Sequence, residues 1–194
     1  MATPTPPSPQ LLAHLKSLFT TYHQTASIPA RARFYSPQCM QICRPRPSYA
    51  ARNSQTIIRY LHEAAGAGMD FSPEFEPEQQ DREIEEKGRD FTFRALREGE
   101  FEFGTDEVTM HVGLTDEEMR RRAEEEGWVG ARVDLLFPTA GVDVADSGEG
   151  EVKGGMMLVK VKYWWRKEGE EWVQILHDIM YMGAPDGTEQ ESMG

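Results

Sequence analysis

The chain has 194 residues, 39% of them hydrophobic, with 21 Lys and Arg against 33 Asp and Glu for a formal charge of -12. That length supports one sizeable core, and the negative field disfavours nucleic acid and anionic membrane, since no Lys/Arg run overrules it. Two cysteines, Cys39 and Cys43, are too few for a disulfide framework or a four-ligand zinc site, and no apolar run reaches the length of a bilayer span.

The leader over residues 1–8, rich in Pro, Ser and Thr, has no basic flank followed by an apolar stretch and reads as disordered, with a cytoplasmic location as the expectation. Ser8 and Pro9 form a cap and first helical residue. Leu11, Leu12, Leu15, Leu18, Phe19 and Tyr22 then repeat at helical spacing. Residues 31–35 read as a short helix or strand, and 39–44 as a strand that Pro45 and Pro47 stop. Asn53 or Ser54 caps a second helix running to Ala65, with Ile57, Ile58 and Leu61 on its buried side and Gly66 as terminator. The Pro- and Glu-rich stretch 68–86 reads as a surface excursion anchored by Phe71 and Phe75.

Strand character follows over 91–96 and again over 109–114. Thr115 and Glu118 are spaced as a capping box for an exposed helix closing near Gly127. Residues 128–137 alternate as a strand, with Val133 and Leu135 on one side and Arg132 and Asp134 on the other. The Gly-rich stretch 138–155 reads as a flexible loop and 184–194 as a polar tail, around a single domain over 9–183 with an insertion near 68–126.

Residues 156–182 pattern as a long antiparallel hairpin. Alternation assigns Met157, Val159, Val161, Tyr163 and Trp165 to one face of its first strand, and Val173, Ile175, His177, Ile179 and Tyr181 to the same face of its second. Matching these faces through a three-residue turn, Glu168 to Glu170, predicts Val161 opposite His177 and Lys160 opposite Asp178. Leu158, Trp164, Trp172, Leu176 and Met180 then share the opposite face. So much apolar surface predicts a two-fold homodimer through it.

This order of parts, ending in Trp172 followed five residues later by His177, resembles the nuclear-transport-factor-2-like superfamily, particularly its SnoaL-like branch. Arg166, Trp172, Val173, Ile175 and His177 match the segment that closes the cavity in that family, and the likeness covers roughly 10–65 and 128–182. It implies an α+β cone: helices packed in a strongly curved mixed or antiparallel sheet around an apolar cup. It also implies a small-molecule pocket protein taking a small, mostly apolar molecule, with cofactor-independent proton transfer of the cyclase, dehydratase or isomerase kind as one expectation. A non-catalytic ligand-binding or dimeric scaffold protein is the alternative.

His177 is the polar residue of the closing strand, with Asp134 as its partner acid if its strand turns inward. Adjacent Asp178 points away by alternation. Tyr163, Tyr181 and Trp165 on the cup face, and Arg44 and Tyr60 at its mouth, are the candidate ligand contacts. His177 and the tyrosines also read as plain core residues. The expectation is no metal and no cofactor, because phosphate-loop, dinucleotide, nucleophile-elbow and His-Glu-x-x-His patterns are missing and the five histidines are scattered.

Overall fold

The computed structural model describes residues 6–64, 91–138 and 156–187. Helix α1 (Pro9–Gln24) begins where the Ser8 hydroxyl accepts from the Leu11 amide at 3.2 Å, with proline in its first turn. A 3-10 turn, Pro29–Phe34, leads into strand β1 (Tyr35–Cys43). Helix α2 (Ser54–Ala64) is capped by Asn53, whose Oδ1 accepts from the Thr56 amide at 2.9 Å. Next comes β2 (Phe91–Ala95). Residues 109–114, expected as a strand, belong instead to α3 (Asp106–Thr109) and the 3-10 turn Met110–Val112, which Gly113 ends at φ +82°. Acidic residues in the first turn of α3 favour the helix, and Thr109 and Val112 bury on one side of it. Helix α4 (Asp116–Glu125) carries the full Thr115/Glu118 capping box. Strands β3 (Val129–Pro138), β4 (Met156–Glu168) and β5 (Glu171–Gly183) complete the described chain.

The strands form one mixed sheet in the order β1-β5-β4-β3-β2, with β1 parallel to β5 and the other pairs antiparallel. The α+β class holds, but the strongly curved cone does not: the sheet is neither strongly curled nor closed, and β1 and β2 stand at its two ends. The reason lies in what covers it. Leu15 and Phe19 of α1 and Ile57 of α2 pack with Val133, Val161 and Tyr163 on what we call the inner face. On the outer face, Phe103, Val112 and Met119 pack with Trp164, Ile175 and Leu176. A sheet covered on both faces buries its apolar residues without rolling into a cup.

The hairpin register also departs from expectation. The turn has two residues, Gly169 at φ +60° and Glu170, between the pair Glu168 and Glu171. From there Trp165 faces Gln174, Tyr163 faces His177, Val161 faces Ile179 and Lys160 faces Tyr181, with irregularities at two points. Each is an extra β5 residue, Ile175 and then Met180, so the strand changes the side it presents. Of the expected inner positions in β5, His177 and Ile179 keep their face; Ile175 joins the outer cluster and Tyr181 stands opposite Lys160. Trp172 packs against the inner cluster instead of the outer face. The proposed dimer surface is therefore covered by its own chain. Leu158 and Leu176 are fully buried, and Trp164 is 1% exposed with Phe103 packed at 4.8 Å between ring centroids.

The described part of the expected insertion builds that cover. The segment over 96–104, the Met110–Val112 turn and α4 contribute to the cover, while β2 joins the sheet with Phe91 and Phe93 against the inner cluster. The excursion with Phe71 and Phe75, the loop over 139–155 and most of the tail lie outside the described residues.

Candidate functional site

The inner face carries a buried polar cluster in an aromatic shell. His177, 4% exposed, stands opposite Tyr163 across the β4/β5 pair, with ring centroids 4.7 Å apart, and its other ring neighbour is Tyr35 at 5.2 Å. Its Nε2 lies 2.6 Å from Oε1 of Gln174, which the bulge at Ile175 has turned inward. An amide oxygen can only accept, so Nε2 carries the proton and Nδ1 is the acceptor nitrogen. Burial pushes the His177 pKa down to about 3, and the ring is uncharged at neutral pH.

The phenols form the other half of the cluster. The Tyr22 and Tyr35 hydroxyls share a hydrogen bond at 2.6 Å, linking α1 to β1. Burial raises the Tyr22 pKa and holds those of Tyr35 and Tyr163 well above the usual phenol range. The Cys39 thiol, fully buried in the same inner cluster, is likewise pushed up by burial. Arg31 lies at the rim, its Nε donating to the Thr25 carbonyl at 2.8 Å and its guanidinium 5.4 Å from the Tyr22 ring centre. Trp165, 1% exposed, closes the shell against Phe93 and Tyr163 at 5.8 Å each. Apart from Arg31 at the rim, the groups of this cluster are neutral, which suits hydrogen bonding to an uncharged molecule better than stabilising an ion.

Of the residues singled out from sequence, His177, Tyr163 and Trp165 come together here. Asp134 does not. Strand β3 pairs with both neighbours without a register break, so Asp134 stays on the outer side, where Arg132 Nε donates to it at 2.6 Å. Arg44 also points away from this cluster, gripping fully buried Asp178 by Nε at 2.8 Å and Nη2 at 2.7 Å and donating to the Phe103 carbonyl at 3.1 Å. Tyr181 donates to the Ala184 carbonyl at 2.8 Å with Lys160 Nζ 5.3 Å from its ring. The Tyr60 hydroxyl lies within reach of the Ser48 and Ala50 carbonyls, a tie between α2 and the preceding turn. Gln174, Tyr22, Tyr35 and Cys39 are cluster members that sequence patterning did not single out; a lone Gln in a strand of apolar residues was the one signal available. Among the described residues no group of three His, Cys, Asp or Glu side chains is placed to hold a metal ion.

The outer face holds a second polar assembly of different character. Asp178, Lys162, Arg132 and Arg94 are successive cross-strand neighbours. Lys162, 4% exposed, reaches Asp178 at 3.1 Å and the Glu102 carbonyl at 2.5 Å. Glu100 accepts from both Arg94 nitrogens, at 2.6 and 2.7 Å, and from the Arg97 amide at 2.7 Å. These bonds fasten the 100–103 segment over Trp164, and each charge in them has a partner.

The family model described as a SnoaL-like domain matches residues 5–194. No curated protein matches the sequence. Among solved structures the chain is similar to a ketosteroid isomerase-like protein from Erwinia carotovora atroseptica, at 11% identity and a TM-score of 0.47, with 90% of this chain and 99% of that chain covered. It is also similar to a nuclear-transport-factor-2-like protein of unknown function from Pseudomonas putida, at 14% identity and a TM-score of 0.41, covering 94% and 93%. Among the described residues no helix is long and apolar enough to cross a membrane.

Proposed function

We propose that this chain, which belongs to the SnoaL-like domain family, is a small-molecule pocket protein that takes a small, mostly apolar molecule at the inner sheet face around His177. The observation that carries this reading is the buried, uncharged His177–Gln174 pair set among the rings of Tyr35 and Tyr163. With a pKa near 3 the imidazole is a weak base at neutral pH, so its role is to hold a ligand by a hydrogen bond and not to move a proton. This favours the binding reading over a cyclase, dehydratase or isomerase. Free, buried Cys39 and Cys43 fit a reducing compartment such as the cytoplasm.

The test is a screen of small neutral aromatic and alicyclic compounds against the full chain and against His177→Phe. Binding to the wild type is expected, with affinity lowered by roughly 1–2 kcal/mol in the variant. Turnover of any screened compound with a pH-rate limb that vanishes in His177→Phe would replace the binding reading with proton transfer. Equal affinity in both proteins would remove His177 from the site.

A further inference from the structure

The charges of this chain are sorted by segment. Residues 1–62 contain seven of its 21 Lys and Arg and none of its 33 Asp and Glu, whereas residues 97–127, which include the outer cover, hold four Arg and eleven Asp and Glu. The basic segment supplies α1 and α2 on the inner face, with the turns Pro29–Phe34 and Pro47–Tyr49 beside them.

Arg44 of this segment is held by Asp178, but three other arginines are not matched. Among the described residues no carboxylate pairs with Arg33 or Arg46, and both side chains are exposed. Arg59 has Glu63 at 3.8 Å, beyond hydrogen-bond distance, and its Nε is buried without a partner. By contrast Arg94, Arg120, Arg122, Arg132 and Arg166 each donate to a carboxylate. The three unmatched arginines sit on elements that pack together. Arg59 lies over the Tyr60 ring at 5.2 Å, that ring meets Tyr49 at 5.1 Å, and the Tyr49 amide donates to the Arg46 carbonyl at 2.9 Å. The turn that carries Arg33 packs against α2 as well, with the guanidinium 4.8 Å from the Phe34 ring centre. Tyr49, 37% exposed, is one of three exposed large hydrophobic side chains among the described residues.

We propose that this surface, Arg33, Arg46 and Arg59 about Tyr49 and Tyr60, docks an acidic segment of a partner polypeptide. None of these residues belongs to the His177 cluster, so the inference does not rest on the pocket reading. Arginines left unmatched in a chain with an excess of acids are complementary to carboxylates from outside, which a guanidinium fork takes two bonds at a time. Stacking on Phe34 and Tyr60 already holds two of the guanidiniums, so less side-chain freedom is lost when a partner arrives. Tyr49 adds an apolar plate for the stem of a partner side chain. A long polyanion or an anionic membrane would extend past this surface into the field of a chain with a formal charge of -12, whereas a short acidic segment is complementary within it.

Fluorescence anisotropy on the full chain with labelled deca-glutamate, deca-glutamine and a single-stranded oligonucleotide of equal length tests this. Deca-glutamate is expected to bind at about 20 mM salt and about tenfold or more weakly at about 200 mM, as an exposed charge contact requires. Arg33→Glu combined with Arg46→Glu should weaken that binding by about tenfold or more. Arg97→Glu combined with Arg121→Glu makes the same change in net charge at exposed positions outside the proposed surface, and should leave it unchanged. Equal weakening by the two pairs would mean attraction to net charge alone and would overturn the site. Failure of the wild type to bind deca-glutamate, or equal binding of deca-glutamine or the oligonucleotide, overturns it as well, and these comparisons decide even if a variant fails to fold. Self-association of the wild type at low salt that the Arg33 and Arg46 changes abolish would make a second copy the occupant and overturn the assignment to a partner polypeptide.

Discussion

His177 shows how one residue can carry a pH dependence without being a catalyst. Its folded pKa, about 3, lies below the 6.5 of a free histidine because burial penalises the charged ring. Between those two values the unfolded chain binds a proton that the native chain refuses. Stability therefore rises with pH across that window and is lost as pH falls from 6.5 toward 3, by at most about 1.4 kcal/mol per unit from this group. Urea midpoints measured from pH 7 to pH 4 should fall in the wild type, and in His177→Phe the part of that slope due to His177 should be missing. At pH 7 the same variant should be less stable by about 1–3 kcal/mol, because Gln174 Oε1 loses its buried donor. A variant as stable as the wild type at pH 7, with the acid slope intact, would mean that His177 is not the buried neutral group described.

At the scale of elements, the parts legible in the sequence were those set by local chemistry. The Ser8, Asn53 and Thr115 caps stand where the spacing of capping and apolar residues put them, and β3 and β4 alternate as read. The β5 face was not legible beyond His177 and Ile179. Alternation carries a face along a strand only while pairing is unbroken, and the bulges at Ile175 and Met180 each reverse it. Nothing in the residues 171–183 marks those two positions as unpaired; the outer cluster that buries Ile175 and Leu176 together is built by residues of other elements, from Met40 to Trp164. Gln174 was missed for the same reason, while Asp134, on a strand without a bulge, kept the outward side that its alternation gave. Gly130 is an element-scale consequence that can be tested. It faces Trp164 across β3/β4, and a Cβ there would lie 2.4 Å from a Leu96 methyl and 3.0 Å from the Trp164 ring. Leu96 can rotate away, but the indole is wedged against Phe103. Gly130→Ala should lower stability by about 1–3 kcal/mol through overpacking, measured by denaturant unfolding with the change in Trp164 environment followed by near-UV circular dichroism. An unchanged midpoint would show that the outer face has room the packing does not indicate.

Across the whole molecule, the outer cover decides whether this chain presents an apolar sheet to its neighbours. The cover is attached by apolar contact and also by the charged row beneath it, in which Arg94, Arg132, Lys162 and Arg44 hold the Glu100 carboxylate and carbonyls of the 100–103 segment. Glu100 is the outermost of these ties. Hydrogen bonds from Arg94, the largest contribution, hold its pKa down to about 2, so its stabilisation is present above the free carboxyl value of 4.5 and is lost as pH falls from there toward 2. Glu100→Gln keeps the shape but gives up the charge-assisted fork, and should cost about 1.5–3 kcal/mol at pH 7. Because the lost bonds tie the cover and not the sheet, the loss should be local first. Acrylamide should quench tryptophan emission more in the variant at denaturant concentrations below global unfolding, as Trp164 is uncovered. An uncovered face with Trp164, Leu176 and Ile175 on it is a large apolar patch, and light scattering should then report concentration-dependent association that the wild type lacks. Equal quenching and equal mass in the two proteins would mean that Phe101 and Phe103 hold the cover without Glu100, and that the charged row serves the sheet alone.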